Sequence, residues 1–249
     1  MNVERPPKIN AMPALVFWLL VWQLASGAMG NTLLLPSPAQ VLRCLGRLAA
    51  TAEFWQITFT SIGRILLGVV AATALGVTLA VLTSQVPLLN TLIAPAMTAM
   101  QATPVASFTI LVLIWLDRDY VPVLICGMMV LPVIWGNVSS GIRVTDKQLL
   151  EMGSVFRLSP ITKLRRIWIP SVMPFFRAAC ASALGLGWKA GIAAEVLTVP
   201  KASIGRMISE SKLYLLTEEL FAWTLAVVVL SLLLQKLMLY LLKGRNRHA

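Results

Sequence analysis

The chain has 249 residues, of which 58% are hydrophobic and only 12% are charged, and its mean hydropathy is +0.81. Soluble domains carry about 25% charged residues, so this composition excludes a water-soluble globular protein. It also excludes a disordered chain, because disordered chains are poor in apolar residues. The composition predicts an integral membrane protein, and at ~20 apolar residues per span the length leaves room for about five to seven helices.

Apolar runs along the chain predict an all-α fold, a polytopic transmembrane helix bundle with about six spans. A proline-containing polar stretch after the first run is read as an external loop with a short amphipathic helix. Between 88 and 116 the chain stays apolar, but Pro95 and Pro104 interrupt it, and proline breaks helices. We therefore expect a short cytoplasm-side piece and then a span from about Pro104. The predicted spans are 11–29, 62–82, 104–116, 120–138, 172–199 and 220–242.

The distribution of Lys and Arg predicts that both termini face the cytoplasm. The net charge is +11, from 21 Lys+Arg against 10 Asp+Glu, and cytoplasmic loops of membrane proteins are enriched in Lys and Arg. With both termini inside, eleven of the 21 basic residues fall in cytoplasmic segments, six fall outside and four fall within or at the ends of spans. The eleven are Arg5, Lys8, Arg143, Lys147, Arg157, Lys163, Arg165, Arg166, Lys243, Arg245 and Arg247. This orientation requires an even number of spans.

Little in the chain could bind a metal or a cofactor. The single histidine, His248, lies in the basic C-terminal tail, and Cys44, Cys126 and Cys180 are scattered without a Cys-x-x-Cys spacing. Cysteines with apolar neighbours are small buried hydrophobic residues, so no metal site, cofactor or disulfide framework is expected. Because the cytoplasmic loops of a membrane protein account for the excess of Lys and Arg, no nucleic-acid partner is expected either.

The segment 139–170, between the fourth and fifth predicted spans, is long for a connection, and long loops are usually functional or disordered. Apolar residues such as Leu149 and Phe156 are interspersed with basic ones such as Arg143 and Lys147. The composition therefore predicts a folded helical segment with a partly apolar and basic surface. Two roles remain open from composition alone: a docking site for a cytoplasmic partner, or an interfacial helix lying on anionic lipid.

Within this segment the chain has Glu151-Met152-Gly153, three residues, Arg157, nine residues and Ile167-Trp168-Ile169-Pro170. This spacing resembles the EAA loop of the permease subunits of ABC importers. The family pattern is Glu-Ala-Ala, three residues, Gly, nine residues and Ile-x-Leu-Pro. Met152 replaces a small Ala, and Arg157 replaces the glycine that normally permits a sharp turn between two short helices.

Further segments, from about Thr58 to the C-terminus, are similar to permeases of the nitrate, sulfonate and taurine importer group. These segments are Thr103-Pro104, 111–116, Ile142-Arg143, Leu149-Leu150-Glu151 and Ala194-Glu195-Val196-Leu197. The resemblance implies a type I importer fold in a bacterial inner membrane, with residues 1–57 as an N-terminal span and external loop and residues 58–249 as the permease core. It also implies a second permease copy in a homodimer, cytoplasmic ABC ATPase subunits and an extracytoplasmic substrate-binding protein. The implied cargo is a small anion or nutrient such as nitrate, a sulfonate or taurine.

In such an importer the loop 139–170 contains a coupling helix, here about 147–158, that sits in a cleft of the ATPase. We expect Glu151 to make a polar or cap contact near the start of this helix, because negative charge favours a helix N-terminus. We expect Pro170 to end the loop. The ATPase-coupling residues implied by the resemblance are Glu151, Gly153, Arg157, Ile167 and Pro170. The chain has no GxxxxGK[ST] segment, so another subunit must bind the nucleotide and this subunit is not an enzyme.

Charged residues inside the predicted spans are costly and usually functional. Lys189 and Glu195 are therefore possible pathway residues; Lys189 could meet an anionic substrate, whereas Glu195 could simply reach water or bond to a neighbouring helix. Six residues apart on one helix, they do not share a face and are not expected to pair. Arg64 is expected to extend its head group to the membrane surface. The segment 203–215 has helical periodicity and is either an amphipathic connector or an external gate.

A secondary transporter or channel driven by an ion gradient is the main alternative. It would need coupling acids within the spans, and only Glu195 is available. An intramembrane enzyme is a third alternative, and the predicted spans hold neither a histidine nor paired carboxylates for it. The sequence favours the permease subunit of an importer.

Overall fold

The computed structural model describes residues 11–31 and 33–243, and this part of the chain is all-α. Five residues that enter the predictions above lie outside the described residues: Arg5, Lys8, Arg245, Arg247 and His248. The helices are α1 (Ala11–Met29), α2 (Pro38–Ala49), α3 (Ala52–Gln85), α4 (Pro87–Ala102), α5 (Val105–Val112), α6 (Val121–Arg143), α7 (Lys147–Val155), α8 (Pro160–Lys163), α9 (Ile169–Thr198), α10 (Ile204–Leu213) and α11 (Thr217–Lys243). A five-residue π-helix, Leu164–Trp168, joins α8 to α9.

Within the described residues, five helical runs are long and apolar enough to cross a bilayer, which confirms the prediction of a polytopic transmembrane helix bundle. They are Met12–Met29, Ala52–Gln85, Val121–Arg143, Pro160–Thr198 and Thr217–Leu241. The prediction of a single spanning helix over 104–116 is wrong. Helix α5 has only 8 residues, so it extends about 12 Å, whereas a bilayer core is about 30 Å thick.

The apolar stretch 88–116 forms two helices because the chain is extended at Thr103 and Pro104. Their φ and ψ angles are −74° and 125° for Thr103 and −63° and 122° for Pro104. A residue before proline disfavours the α conformation, and proline has no N–H to continue a helix. The break therefore follows from local sequence.

Helices α4 and α5 together return along most of the length of α3. Helix α4 begins two residues after α3 ends at Gln85, while Asp119, in the turn after α5, lies 3.8 Å from Arg64 of α3. From Arg64 to Gln85 the helix is roughly 30 Å long at about 1.5 Å per residue. Two short helices in series thus cover the distance that one spanning helix was expected to cover.

The described residues form two compact units, and the first extends to Trp55 and includes Met207–Ala226. The predicted amphipathic helix of the first loop is α2, which begins with a capping box formed by Ser37 and Gln40. The buried core of this unit is formed by Val41, Cys44 and Ala222. Burial raises the pKa of the Cys44 thiol, so this cysteine is protonated and unreactive at neutral pH.

The second unit comprises Gln56–Arg206 and the residues from Val227 onward. Glycines bring α9 close to its neighbours in this unit. A β-carbon added at Gly191 would lie 2.7 Å from Cγ1 of Ile65, and one added at Gly187 would lie 2.9 Å from side-chain atoms of α6. Small residues let membrane helices approach closely, and this packing positions the helix that carries the predicted pathway residues.

The connection between α6 and α9 is more helical than predicted. Helix α6 continues to Arg143, and α8, the π-helix and α9 form one continuous run, Pro160–Thr198. The Ile169 N–H donates to the Leu164 carbonyl, five residues back, and Pro170 has no N–H with which to restore the ordinary pattern. Pro170 therefore lies inside a helical run and does not end the loop as predicted, so only 144–159 lies between the two long helical runs.

Candidate coupling surface and buried ion-pair network

Helix α7, Lys147–Val155, lies within the predicted coupling helix. Its N-cap is Asp146, whose carboxylate accepts a hydrogen bond from the Gln148 backbone N–H at 2.8 Å. This bond satisfies a free donor at the helix start and places a negative charge there. Asp146 thus makes the cap contact that was expected of Glu151. Glu151 lies in the middle of α7, and its side chain is exposed.

Helix α7 ends in a Schellman turn. The Leu158 N–H donates to the Gly153 carbonyl at 2.9 Å, and the Arg157 N–H donates to the Ser154 carbonyl at 3.0 Å. Arg157 has a φ of 50°, which is the left-handed conformation that favours glycine. The sharp turn is therefore present at the position of the family glycine, although an arginine occupies it.

Gly153 and Ile167, two residues of the motif, are in contact. Both are buried, and a β-carbon added at Gly153 would lie 3.2 Å from Cδ1 of Ile167. Beside this contact, Nζ of Lys163 donates to Oγ of Ser154 at 2.9 Å. These contacts attach α7 to α8 and to the π-helix, which continue directly into α9.

Six exposed residues of α7 and its C-terminal turn form what we name the coupling surface. Its members are Leu149, Glu151, Met152, Val155, Phe156 and Arg157. Val155 is 79% exposed and Phe156 is 72% exposed. Among the described residues, the Glu151 side chain has no hydrogen-bond or ion-pair partner. An exposed apolar patch of this kind, rimmed by charge, is typical of an interaction site.

Lys189 lies on an exposed stripe of α9. Residues at helical spacing form this stripe: Ser182, Leu186, Lys189, Ala193 and Leu197. Leu186 and Leu197 are 46% and 42% exposed. A single ammonium group among apolar neighbours in a candidate span requires water, substrate or a partner charge, so this face is suited to line an aqueous pathway.

Glu195 is fully buried and bonds to α3. Its Oε1 lies 2.8 Å from Nη1 of Arg64, and its Oε2 accepts a hydrogen bond from the Ser61 hydroxyl at 2.8 Å. The prediction that Arg64 reaches the membrane surface is wrong, because its side chain is only 11% exposed. The guanidinium is held by Glu195 and by the Lys201 carbonyl, 3.2 Å from Nη2. Burial of both charges is tolerated because they are paired and hydrogen-bonded.

The same network holds the start of α10, Ile204–Leu213, which lies within the predicted helical segment 203–215. The Ile204 N–H donates to Oγ of Ser61 at 2.9 Å, and the Gly205 N–H donates to Oε2 of Glu195 at 3.2 Å. Two free backbone donors of a helix N-terminus are thereby satisfied. One carboxylate therefore connects α3, α9 and the first turn of α10.

The partnership of Arg64 with Glu195 was not predicted from the sequence, although a signal for it existed. Each charge lies near the outer end of a predicted span, at matching depth. Opposite charges in membrane helices usually pair with one another. The two residues are 131 positions apart, and nothing in the local sequence says which helices are neighbours.

The fold defines a multi-spanning membrane protein with a short folded helix, α7, between two of its long helical runs. Residues 65–246 match the family described as the inner membrane component of binding-protein-dependent transport systems. Because this match covers more than half of the chain, the chain belongs to that family. It is a permease subunit of an ABC transporter, which works with an ATPase and a binding protein.

Individual relatives agree with this assignment. The chain is 27% identical to a bicarbonate transport system permease protein of Synechocystis, over 91% of this chain and 84% of the relative. It is 28% identical to a putative aliphatic sulfonates transport permease protein of Escherichia coli, over 88% and 80%. It is 21% identical to the taurine transport system permease protein of the same organism, over 86% and 80%. The predicted similarity to importer permeases of the nitrate, sulfonate and taurine group is confirmed.

Proposed function

We propose that this subunit forms the translocation pathway of an importer and receives the force of ATP hydrolysis at the coupling surface. The observation that supports this best is the exposed apolar side chains of Val155 and Phe156, at the end of a helix whose Gly153 contacts the π-helix that leads into α9. An interfacial helix on lipid would also cover apolar residues. However, Glu151 is exposed on the same surface, and a carboxylate is unfavourable against anionic lipid. A protein cleft could supply Glu151 with a donor.

Movement of α7 would reach the other side of the bundle through α9. This helix, Ile169–Thr198, has 30 residues and is about 45 Å long. The contact of Gly153 with Ile167 transmits displacement to its start, and α9 carries that displacement as a rigid body to Glu195. There the ion-pair network holds α10, which we propose to act as an external gate and not merely as a connector.

Helices α4 and α5 in series provide the sixth crossing in this proposal. Six crossings leave both termini on one side, and the Lys and Arg bias favours the cytoplasm for that side. The coupling surface would then face the cytoplasm. Glu195 would lie toward the outside, because about 40 Å of helix separates it from Trp168. Residues 1–57 would serve as an additional span and loop beside the permease core, 58–249.

We propose a small anion as the cargo. The similar permeases are named for bicarbonate, taurine and aliphatic sulfonates, which are small molecules bearing an oxyanion. Lys189 would meet this group from the exposed stripe of α9. A second copy of the chain, in a homodimer, would face the stripe across the pathway and cover its apolar members, Leu186 and Leu197.

Co-purification with the ATPase subunit tests the coupling surface. Phe156→Asp places a charge at its most apolar part, and Leu34→Asp places the same charge on a side chain that is 66% exposed in another loop. We expect wild type and Leu34→Asp to retain the ATPase and to take up cargo in an ATP-dependent manner. Phe156→Asp should lose both properties while its amount in the membrane is unchanged.

Two results would overturn this proposal. One is ATPase retention by Phe156→Asp at the wild-type level. The other is transport by the purified subunit without any ATPase, in particular transport that stops when an ion gradient is removed. The second result would favour an ion-gradient-driven secondary transporter.

A further inference from the structure

A large apolar groove lies where α3, α6 and the start of α9 approach the 144–159 connection. Its volume is about 510 Å³, and ten of its twelve lining residues are apolar. Ligand sites in proteins usually measure about 300–1,000 Å³. Val81, Leu164 and Ile169, which line the groove, are 40%, 51% and 43% exposed. The groove is therefore a formed site with an accessible apolar wall.

The spacing between α3 and α9 explains the groove. Near Glu195 the two helices are in close contact, because Gly191 packs against Ile65. Toward the connection, α9 carries the large side chains Met173 and Phe176, which line the space between the helices. The cavity follows from this change from small to large side chains along one helix.

One end of the groove is lined by groups that can donate hydrogen bonds, and basic residues lie next to it in the sequence. Gln85, the last residue of α3, and Trp168 of the π-helix line it, and neither side chain has a hydrogen-bond partner among the described residues. Arg165 and Arg166, in the same π-helix as Trp168, are exposed. The lining residues include no Asp or Glu. The groove thus offers an indole N–H and an amide NH₂, and two exposed guanidinium groups belong to the same π-helix as Trp168. All of these groups donate to acceptor oxygens.

We propose that this groove binds an anionic phospholipid. One acyl chain lies along the apolar wall formed by α3 and α9. Trp168 and Gln85 donate to ester or phosphate oxygens, while Arg165 and Arg166 balance the negative charge of the head group. Tryptophan is enriched at the membrane interface, and basic pockets between membrane helices bind anionic head groups.

The position of the groove favours lipid over a protein occupant. Gln85 and Arg143 are the last residues of two candidate spans, so the groove opens near the ends of helices that are apolar enough to cross a bilayer. Its apolar wall is formed by these helices, and a bilayer around them would present lipid to that wall. This inference depends on membrane insertion and not on the proposed coupling to an ATPase.

Lipid titration of the purified full chain, followed by native mass spectrometry, tests the site. We expect phosphatidylglycerol to bind in preference to phosphatidylcholine, and Arg165→Gln/Arg166→Gln to weaken phosphatidylglycerol binding about tenfold. The control Arg43→Gln/Arg118→Gln removes the same charge from exposed arginines on segments that contribute no lining residue to the groove, and it should bind like wild type. Val81→Trp, which fills the groove, should weaken the binding of both lipids.

Further measurements separate this site from general charge effects and from a protein occupant. Arg165→Lys/Arg166→Lys should retain most of the binding, and phosphatidylglycerol with a photoreactive acyl chain should label 77–85 or 164–176. Equal loss of binding in the two glutamine double variants would overturn the proposal. Labelling elsewhere, or efficient crosslinking from position 81 to a second copy or to the ATPase, would also overturn it. Phe156→Asp should still bind the lipid, so a failure of the coupling proposal can be distinguished from a failure of the lipid-site proposal.

Discussion

Arg64 on α3 and Glu195 on α9 form a buried ion pair, with 2.8 Å between Nη1 and Oε1. Glu195 is 0% exposed and Arg64 is 11% exposed, so the pair is little screened by water or salt. The same carboxylate accepts a hydrogen bond from the Gly205 N–H at 3.2 Å. The pair therefore joins two long helices and also fixes the first turn of α10.

The two single substitutions in this pair should together destabilise the protein more than the double substitution does. Arg64→Met leaves the Glu195 carboxylate buried without its cation, and losing one partner of a buried ion pair costs about 3–5 kcal/mol. Arg64→Met/Glu195→Leu removes both charges, so we expect it to be less destabilised than the sum of the two single variants. Thermal unfolding of the purified chain in detergent measures this. Simple additivity would show that the two side chains are not energetically coupled.

Gly205→Ala should displace the start of α10. A β-carbon at Gly205 would overlap the side chain and backbone of Glu195, and overpacking typically costs about 1–3 kcal/mol. If α10 acts as a gate, we expect roughly tenfold slower uptake, the rate equivalent of about 1.4 kcal/mol, with the ATPase still bound. Gly136→Ala on α6 meets no atom within 4 Å and is the matched control. Equal uptake by the two variants would contradict a gating role.

Arg157→Gly should stabilise the turn after α7. Arg157 has a φ of 50°, which costs a non-glycine residue roughly 1–2 kcal/mol. Glycine relieves this strain, but part of the gain is lost because glycine has greater conformational freedom in the unfolded chain. We expect a net gain of about 0.5–1 kcal/mol. Arg157→Ala removes the same charge but keeps the strain, so it should not be stabilised. Thermal unfolding of both variants tests whether backbone strain at Arg157 is the cause. An equal change in stability in the two variants would show that loss of the charge is the cause instead.

Gly153→Ala should impair coupling more than folding. The new β-carbon would lie 3.2 Å from Cδ1 of Ile167, so α7 must shift away from the π-helix that leads into α9. We expect ATP hydrolysis to continue while the ratio of transport to hydrolysis in reconstituted vesicles falls several-fold, consistent with about 1 kcal/mol of overpacking. Gly153→Ala/Ile167→Val removes the crowded methyl group and should recover part of the ratio. If the ratio of transport to hydrolysis does not recover in this double variant, crowding against Ile167 is not the cause of the defect.

Lys189→Met should weaken cargo recognition without affecting assembly. A hydrogen bond to a charged group contributes about 1.5–3 kcal/mol, so we expect the KM for an anionic cargo to rise about tenfold or more. Uptake of bicarbonate, taurine and an alkanesulfonate by reconstituted vesicles would measure this. Lys236→Met, on α11, removes an equal charge and serves as the control. Unchanged affinity and rate in Lys189→Met would exclude Lys189 from the pathway.

Local patterns were sufficient for several elements of the fold. The first apolar run coincides with α1, and the amphipathic periodicity of 203–215 corresponds to α10, because periodic apolar faces are a property of consecutive residues. Glu151 was correctly placed in a helix, but its cap role was wrong, since Asp146 lies one residue before the helix and is the better placed acceptor.

The sequence by itself determined that this chain spans a membrane repeatedly and carries a folded helical segment between two long helices, because composition and helical period are local quantities. Only the tertiary structure decided that Arg64 pairs with Glu195, that Gly153 packs on Ile167, and that a groove opens between α3 and α9. Each of these depends on which helices are neighbours and how they are rotated, and close packing of small residues sets both.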